Sequence, residues 1–281
     1  MGWRGRVVFS SSGVVRARVQ PSGWWGEAAT SLYSVLFPSA CRLCSAPLTN
    51  LARLPVCEAC LAAMAPIAAA VCSVCGERLA ERAAREGDGR CDLCRRVKMP
   101  YVRAAAWGSY EGGLRGLIQL LKYDRVRPAA EVLGRMLAEV AGGLSNLFGA
   151  RAPLVAPVPL DRARLRQRGF NQSELIARAA VRCSQGLELQ GKALERVRAT
   201  LSQTGLTRHQ RRENMRGAFA APRPGLVAGR DVLLVDDVLT TGATVAECAR
   251  VLRRAGAERV LVATVARALA PEAKPMERLS H

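Results

Sequence analysis

Aromatic residues are scarce in this 281-residue chain, at 5%, which leaves little material for the base-stacking platforms of single-strand nucleic-acid binders. Lysine is scarcer still: only Lys98, Lys122, Lys192 and Lys274 stand among 42 cationic side chains, the rest being Arg. No Gly-Lys-Ser or Gly-Lys-Thr occurs, so a Walker A phosphate loop is excluded. No apolar run approaches the ~18–20 residues of a membrane-spanning helix. The longest candidate, Leu61–Val71, is Ala-rich and lies between cysteine pairs. The N-terminus carries Arg4, Arg6, Arg16 and Arg18 without a continuous apolar stretch before a small-residue cleavage site, which argues against a signal peptide. The expectation is a soluble, cytoplasmic protein with no membrane span.

What is present is a chain of 49% hydrophobic residues, enough for a sizeable core, with a formal charge of +19. The charge invites an anionic partner, although such Arg- and Ala-heavy usage also reflects codon bias and is weak evidence alone. Residues 1–37 read as a partly disordered extension and 271–281 as a frayed tail. Between them, a cysteine-rich module over 38–97 precedes a larger domain over 98–270. In the latter, strands are expected at Val102–Tyr110, Leu154–Val158, Val232–Val235 and Arg259–Val265. Helices are expected at Leu114–Leu121, Ala129–Ala141, Asn171–Cys183 and Thr244–Ala255. Alternating strand and helix predicts an α/β domain with a mainly parallel sheet flanked by helices.

The module holds four C-x-x-C pairs: Cys41/Cys44, Cys57/Cys60, Cys72/Cys75 and Cys91/Cys94. A two-residue spacer lets both thiolates of a knuckle reach one tetrahedral ion, and two knuckles complete a four-thiolate shell. Two structural Zn2+ ions follow, bound by sequential pairs as a double zinc ribbon, or by interleaved pairs. Disulfides disagree with a cytoplasmic chain. Redox chemistry would use one such motif beside a βαβ unit, not four in succession. Closed four-thiolate shells leave no open position, so the metal is structural rather than catalytic. Cys183 and Cys248 fall in helical patterns and read as buried, inert thiols.

The most informative stretch is Val232-Leu-Leu-Val-Asp-Asp-Val-Leu-Thr-Thr-Gly-Ala-Thr244. An apolar strand delivers Asp236 and Asp237 at its C-terminal end, where parallel sheets bind ligands. The following loop opens a helix, whose free N–H groups and dipole make an anion cradle. Gly242 permits close backbone approach, and Thr240, Thr241 and Thr244 add hydroxyl donors. Carboxylates for sugar hydroxyls beside a phosphate cradle describe a ribose 5-phosphate site. The stretch resembles the signature of the type I phosphoribosyltransferases at every position. That resemblance implies that Asp236 and Asp237 bind the ribose hydroxyls of 5-phosphoribosyl 1-diphosphate (PRPP). Thr240, Thr241, Gly242, Ala243 and Thr244 would hold its 5-phosphate, and Mg2+ would accompany the diphosphate. Some relatives place a carboxylate base at the position of Thr240; here no general base is supplied.

Further motifs extend the likeness: LIQLLKYD at 117–124, VAPVPLDRARLRQRGFNQSE at 155–174, and Gln203 followed by spaced arginines up to Phe219. With the cysteines, they resemble the ComF family, named for competence for DNA uptake, over residues 38–267. Asp161 stands where many members carry His. Residues 161–216 contain thirteen Lys and Arg against five Asp and Glu, a net of +8, and arginine forks bind diphosphate oxygens bidentately. By the resemblance, Pro157–Leu160 with Arg162 and Arg168 cradles diphosphate. A flexible basic loop, Thr204–Arg216, closes over it with Arg208, Arg211 and Arg212. Lys122 is a further phosphate contact, and Asp236, Asp237 and Arg208 are the candidate catalytic residues. His209 lacks a carboxylate partner or nucleophile nearby in sequence and is not read as catalytic.

Three functions follow: a glycosyltransferase that passes the phosphoribosyl group to a nitrogen acceptor; an accessory protein that binds single-stranded DNA beside a competence helicase; and a PRPP sensor without turnover. The sequence names neither an acceptor nor an oligomeric state.

Overall fold

The computed structural model describes residues 40–48, 53–80, 84, 87–201, 205 and 207–269, without the Arg208 side chain. The expected extension, the tail, Gln203 and Thr204 lie outside the described residues.

The sheet has five strands in the order β1-β7-β6-β2-β3, all parallel: β1 (Ala104–Ser109), β2 (Leu154–Pro157), β3 (Glu188–Leu189), β6 (Asp231–Leu239) and β7 (Arg259–Arg267). The central strand β6 is apolar without alternation because both of its faces are covered. Leu233 and Val235 join a core with α3 (Gly112–Lys122), α4 (Ala129–Gly143) and α6 (Gln172–Cys183). Val232 and Leu234 join the opposite core with α8 (Ala243–Arg254). β6 runs past the expected Val235 because β7 pairs with it as far as Leu239↔Arg267.

Strand β2 leads through α6 to β3 on one side, and β6 leads through α8 to β7 on the other. The connections therefore diverge between β2 and β6, the topological switch point at which open parallel sheets bind ligands. Outside the sheet, β4 (Glu195–Arg196) and β5 (Phe219–Ala220) form an antiparallel pair. Between them lies α7 (Arg208–Met215), closed by a capping box of Thr207 and Gln210. The expected flexible basic loop is thus helical over its second half, and Met215 is buried against the α8 core. Cys248 is buried as expected, whereas Cys183 is exposed because it ends α6 beyond that helix's buried stretch.

The cysteine module lies against the edge strand. Ile67 N–H donates to the Trp107 carbonyl at 2.9 Å, and Ala104 N–H donates to the Val74 carbonyl at 2.7 Å. Its short helices, α1 (Glu58–Ala62) and α2 (Asp92–Arg96), each begin next to a cysteine. Among the described residues, no helix is long and apolar enough to cross a membrane.

Candidate active site and metal centres

The eight module cysteines gather as Cys41, Cys44, Cys57 and Cys60, and as Cys72, Cys75, Cys91 and Cys94, with ligand atoms in each set within 4.8 Å of one another. The pairing is sequential, not interleaved. Sγ–Sγ distances are 3.9 Å for Cys41–Cys60 and 3.6 Å for both Cys44–Cys57 and Cys75–Cys91. Four sulfurs about 2.3 Å from one zinc would stand roughly 3.8 Å apart, and a disulfide about 2.05 Å. Backbone N–H groups of Cys57 and Cys91 donate to the Cys41 and Cys72 sulfurs at 3.4 and 3.3 Å, which favours thiolates. The residues fit structural zinc.

At the switch point, a cavity of about 760 Å3 opens over the C-terminal ends of β2 and β6. Asp236 and Asp237 line it, together with Thr240 and Thr244 of the following loop. Gly242 caps α8 at φ +78°, a left-handed conformation that a side chain would strain. The first N–H groups of the 12-residue α8 thereby point along its axis towards the loop.

The opposite wall is built by α5 (Arg162–Arg168) and the start of α6. Asp161 caps α5, its Oδ1 accepting from Ala163 N–H at 3.0 Å, which gives this departure from the family pattern a local reason. Asn171 caps α6: its Oδ1 accepts from Ser173 N–H at 3.1 Å, and its Nδ2 donates to the Val158 carbonyl at 3.0 Å. That cap aims the first turn of α6 at the acids. Ser173 Oγ donates to Asp236 at 2.9 Å, and Gln172 Nε2 donates to Asp237 at 3.2 Å. Lys122, the last residue of α3, ion-pairs with Asp237, and Arg168 hydrogen-bonds Gln172.

The adjacent acids titrate differently. Burial and the charge of Asp237 push Asp236 up to about 7, against the hydrogen bond from Ser173. Burial also opposes ionisation of Asp237, but the charge and hydrogen bond of Lys122 prevail and hold it below the usual carboxylate range.

Of the residues singled out from sequence, Lys122, Arg168, Arg211, Asp236, Asp237, Thr240 and Thr244 share this cavity. Arg162 instead faces outward and pairs with Glu195 at 3.1 Å. Arg212, Thr241, Gly242 and Ala243 border a separate small chamber behind the loop, shared with Cys75, Cys91, Tyr101 and Arg267. Arg208 begins α7. Sequence reasoning passed over Arg164, Arg196, Arg125 and Ser173, all in the cavity wall. A signal existed for Arg164: it precedes Arg168 by four residues, so one face of α5 carries both, and Arg162 falls elsewhere.

The chain matches a family model described as a double zinc ribbon domain over residues 32–98, and one described as a phosphoribosyl transferase domain over residues 180–278. It is 34% identical over 233 residues to DNA utilization protein YhgH of Escherichia coli strain K12, covering 83% of this chain and 98% of that protein. It is 31% identical over 201 residues to Competence protein F of Haemophilus influenzae, covering 70% of this chain and 84% of that one. A solved structure described as the allosteric regulatory enzyme of purine biosynthesis aligns over 53% of this chain and 30% of its own, at TM-score 0.32 and 24% identity.

Proposed function

The chain belongs to the ComF family, and from that premise we propose that its switch-point cavity binds PRPP with Mg2+ and transfers the phosphoribosyl group to a nitrogen acceptor. The observation that carries the reading is the acid pair at the end of β6 followed at once by the loop opening α8, across the cavity from Lys122, Arg164, Arg168, Arg196 and Arg211. In this reading Asp236 and Asp237 accept from the ribose hydroxyls, and the Thr240–Thr244 loop holds the 5-phosphate by N–H and hydroxyl donation. The arginines face the diphosphate, whose departure from C1 they favour by taking up its charge while the acceptor nitrogen bonds to that carbon and gives up its proton to solvent. Mg2+, a hard cation suited to carboxylate and phosphate oxygens, adds charge neutralisation at the leaving group.

The test is calorimetric titration of PRPP with Mg2+ into the zinc-loaded protein and into an Asp236→Asn/Asp237→Asn variant. Saturable binding in the first and none in the second is the expected result, with diphosphate release then screened against nitrogen nucleophiles. A folded, zinc-loaded protein that takes up no PRPP overturns the reading.

A second reading, handling of single-stranded DNA, draws on the names of the two relatives and on the cationic wall. It predicts binding that falls steeply with salt and survives loss of the acid pair.

A further inference from the structure

Lys122 is the odd cation of the cavity. The other basic side chains in the wall, Arg125, Arg164, Arg168, Arg196 and Arg211, are all arginine, in a chain with only four lysines. It sits at the last position of α3, where a helix C-terminus favours positive charge. Its side chain is 16% exposed and that of its partner Asp237 is 5% exposed. A lysine–carboxylate pair enclosed by core would be a structural device, but this pair lines an open cavity.

Two neighbouring carboxylates with hard oxygen donors are suited to a divalent cation. Here one of them already holds a cation, while Ser173 Oγ and the Asp237 N–H both donate to the other at 2.9 Å. The residue type also matters. A guanidinium fork would grip the carboxylate bidentately, whereas a compact ammonium on a flexible four-carbon stem can leave one oxygen for another.

We propose that Lys122 is the resident counter-ion of the ligand-free site. Its ammonium stands at Asp237 in place of a divalent cation and keeps such a cation out of the pocket until a ligand binds. It then passes to the ligand's phosphate oxygens when metal and ligand arrive together. The last step rests on the PRPP reading; the exclusion of a divalent cation rests on the ion pair alone. Before the ligand arrives, Lys122 acts through its ion pair with Asp237.

The experiment uses the full-length, zinc-loaded protein and Mn2+ alone, followed by its electron paramagnetic resonance signal. Mn2+ is a harder and weaker-binding ion than zinc and does not displace it from thiolates. Lys122→Met removes the charge while keeping the stem's bulk, and Lys122→Gln is the polar alternative should the first fail to fold. Either neutral variant is expected to bind Mn2+ roughly tenfold tighter than wild type. Lys122→Arg should bind no tighter, and adding Asp237→Asn to either neutral variant should abolish the gain.

A neutral variant with native zinc content and melting behaviour that binds Mn2+ no tighter than wild type overturns the proposal. Titration of PRPP with Mg2+ into wild type separates the two readings. PRPP binding without a gain in Mn2+ affinity refutes the counter-ion and leaves the ligand reading standing. A gain in Mn2+ affinity without PRPP binding does the reverse.

Discussion

Asp236 and Asp237 are chemically identical neighbours pushed to opposite sides of the ordinary carboxylate range, and their surroundings account for the difference. Asp237 has Lys122 and Gln172, while Asp236 has Ser173 and the charge of Asp237 itself. The raised pKa has a defined consequence for stability. Between the ordinary value of 3.8 and about 7, folded Asp236 keeps a proton that the unfolded chain has lost. Stability from this group is therefore complete below pH 3.8, declines as pH rises, and is gone above about 7. Asp237 works in the opposite sense, losing stability only as pH falls below the usual range, so the two windows do not overlap. Asp236→Asn should remove the decline: the Tm difference between variant and wild type should widen from pH 4 to 7 and then level off. Parallel Tm profiles would show that Asp236 ionises normally in the folded protein.

At the scale of elements, α4 and α6 cross so closely that a Cβ on Gly134 would come within 2.3 Å of the Ala179 Cβ. Alanine would gain about 1 kcal/mol in helix propensity over glycine, yet overpacking of a tight contact costs about 1–3 kcal/mol. At so short a distance the backbones must part, so Gly134→Ala should lower the stability measured by urea unfolding by about that second amount, with α6 carrying Gln172 and Ser173 out of register. Nothing in the sequence pattern marks Gly134 as a contact point, because a close crossing is a property of two helices together. What the sequence does reveal is local. The uninterrupted apolar run before Asp236 announces a strand covered on both faces, and Asn171 announces a helix start, while the turning of Gln172 and Ser173 toward the acids is seen only in the structure. The β4–β5 pair was not legible, since two-residue strands have no period to read. Nor was the destination of each arginine: the four-residue spacing groups Arg164 with Arg168 and sets Arg162 apart, but only the phase of α5, fixed by the Asp161 cap, sends that pair to the cavity and Arg162 to Glu195.

Across the whole molecule, the first zinc ribbon and the parallel sheet share one interior. Cys41 and Val56 belong to the same buried cluster as Leu117, Leu121 and Leu133. A Cβ on Gly116 of α3 would stand 2.5 Å from Leu43. The second ribbon meets the sheet through Glu77, which accepts from Arg267 at 2.9 Å where β7 ends, and it walls the small chamber behind Thr241 and Gly242. Structural zinc supplies much of the folding free energy of so small a module. With the ribbon melted, Arg267 would lose its partner Glu77, and β1 would lose the backbone pairings at Ala104 and Trp107. Zinc chelation should therefore lower the calorimetric Tm of the entire chain in a single transition. Cys72→Ser should lose one zinc equivalent by elemental analysis and lower that same transition, whereas Cys183→Ser, exposed at the end of α6, should change neither. Two separate transitions after chelation, with the larger one unmoved, would mean that the ribbon rides on the sheet without supporting it. Coupling between them would make zinc occupancy a condition for the loop before α8 to keep its shape, because the chamber behind that loop is closed on its far side by Cys75 and Cys91.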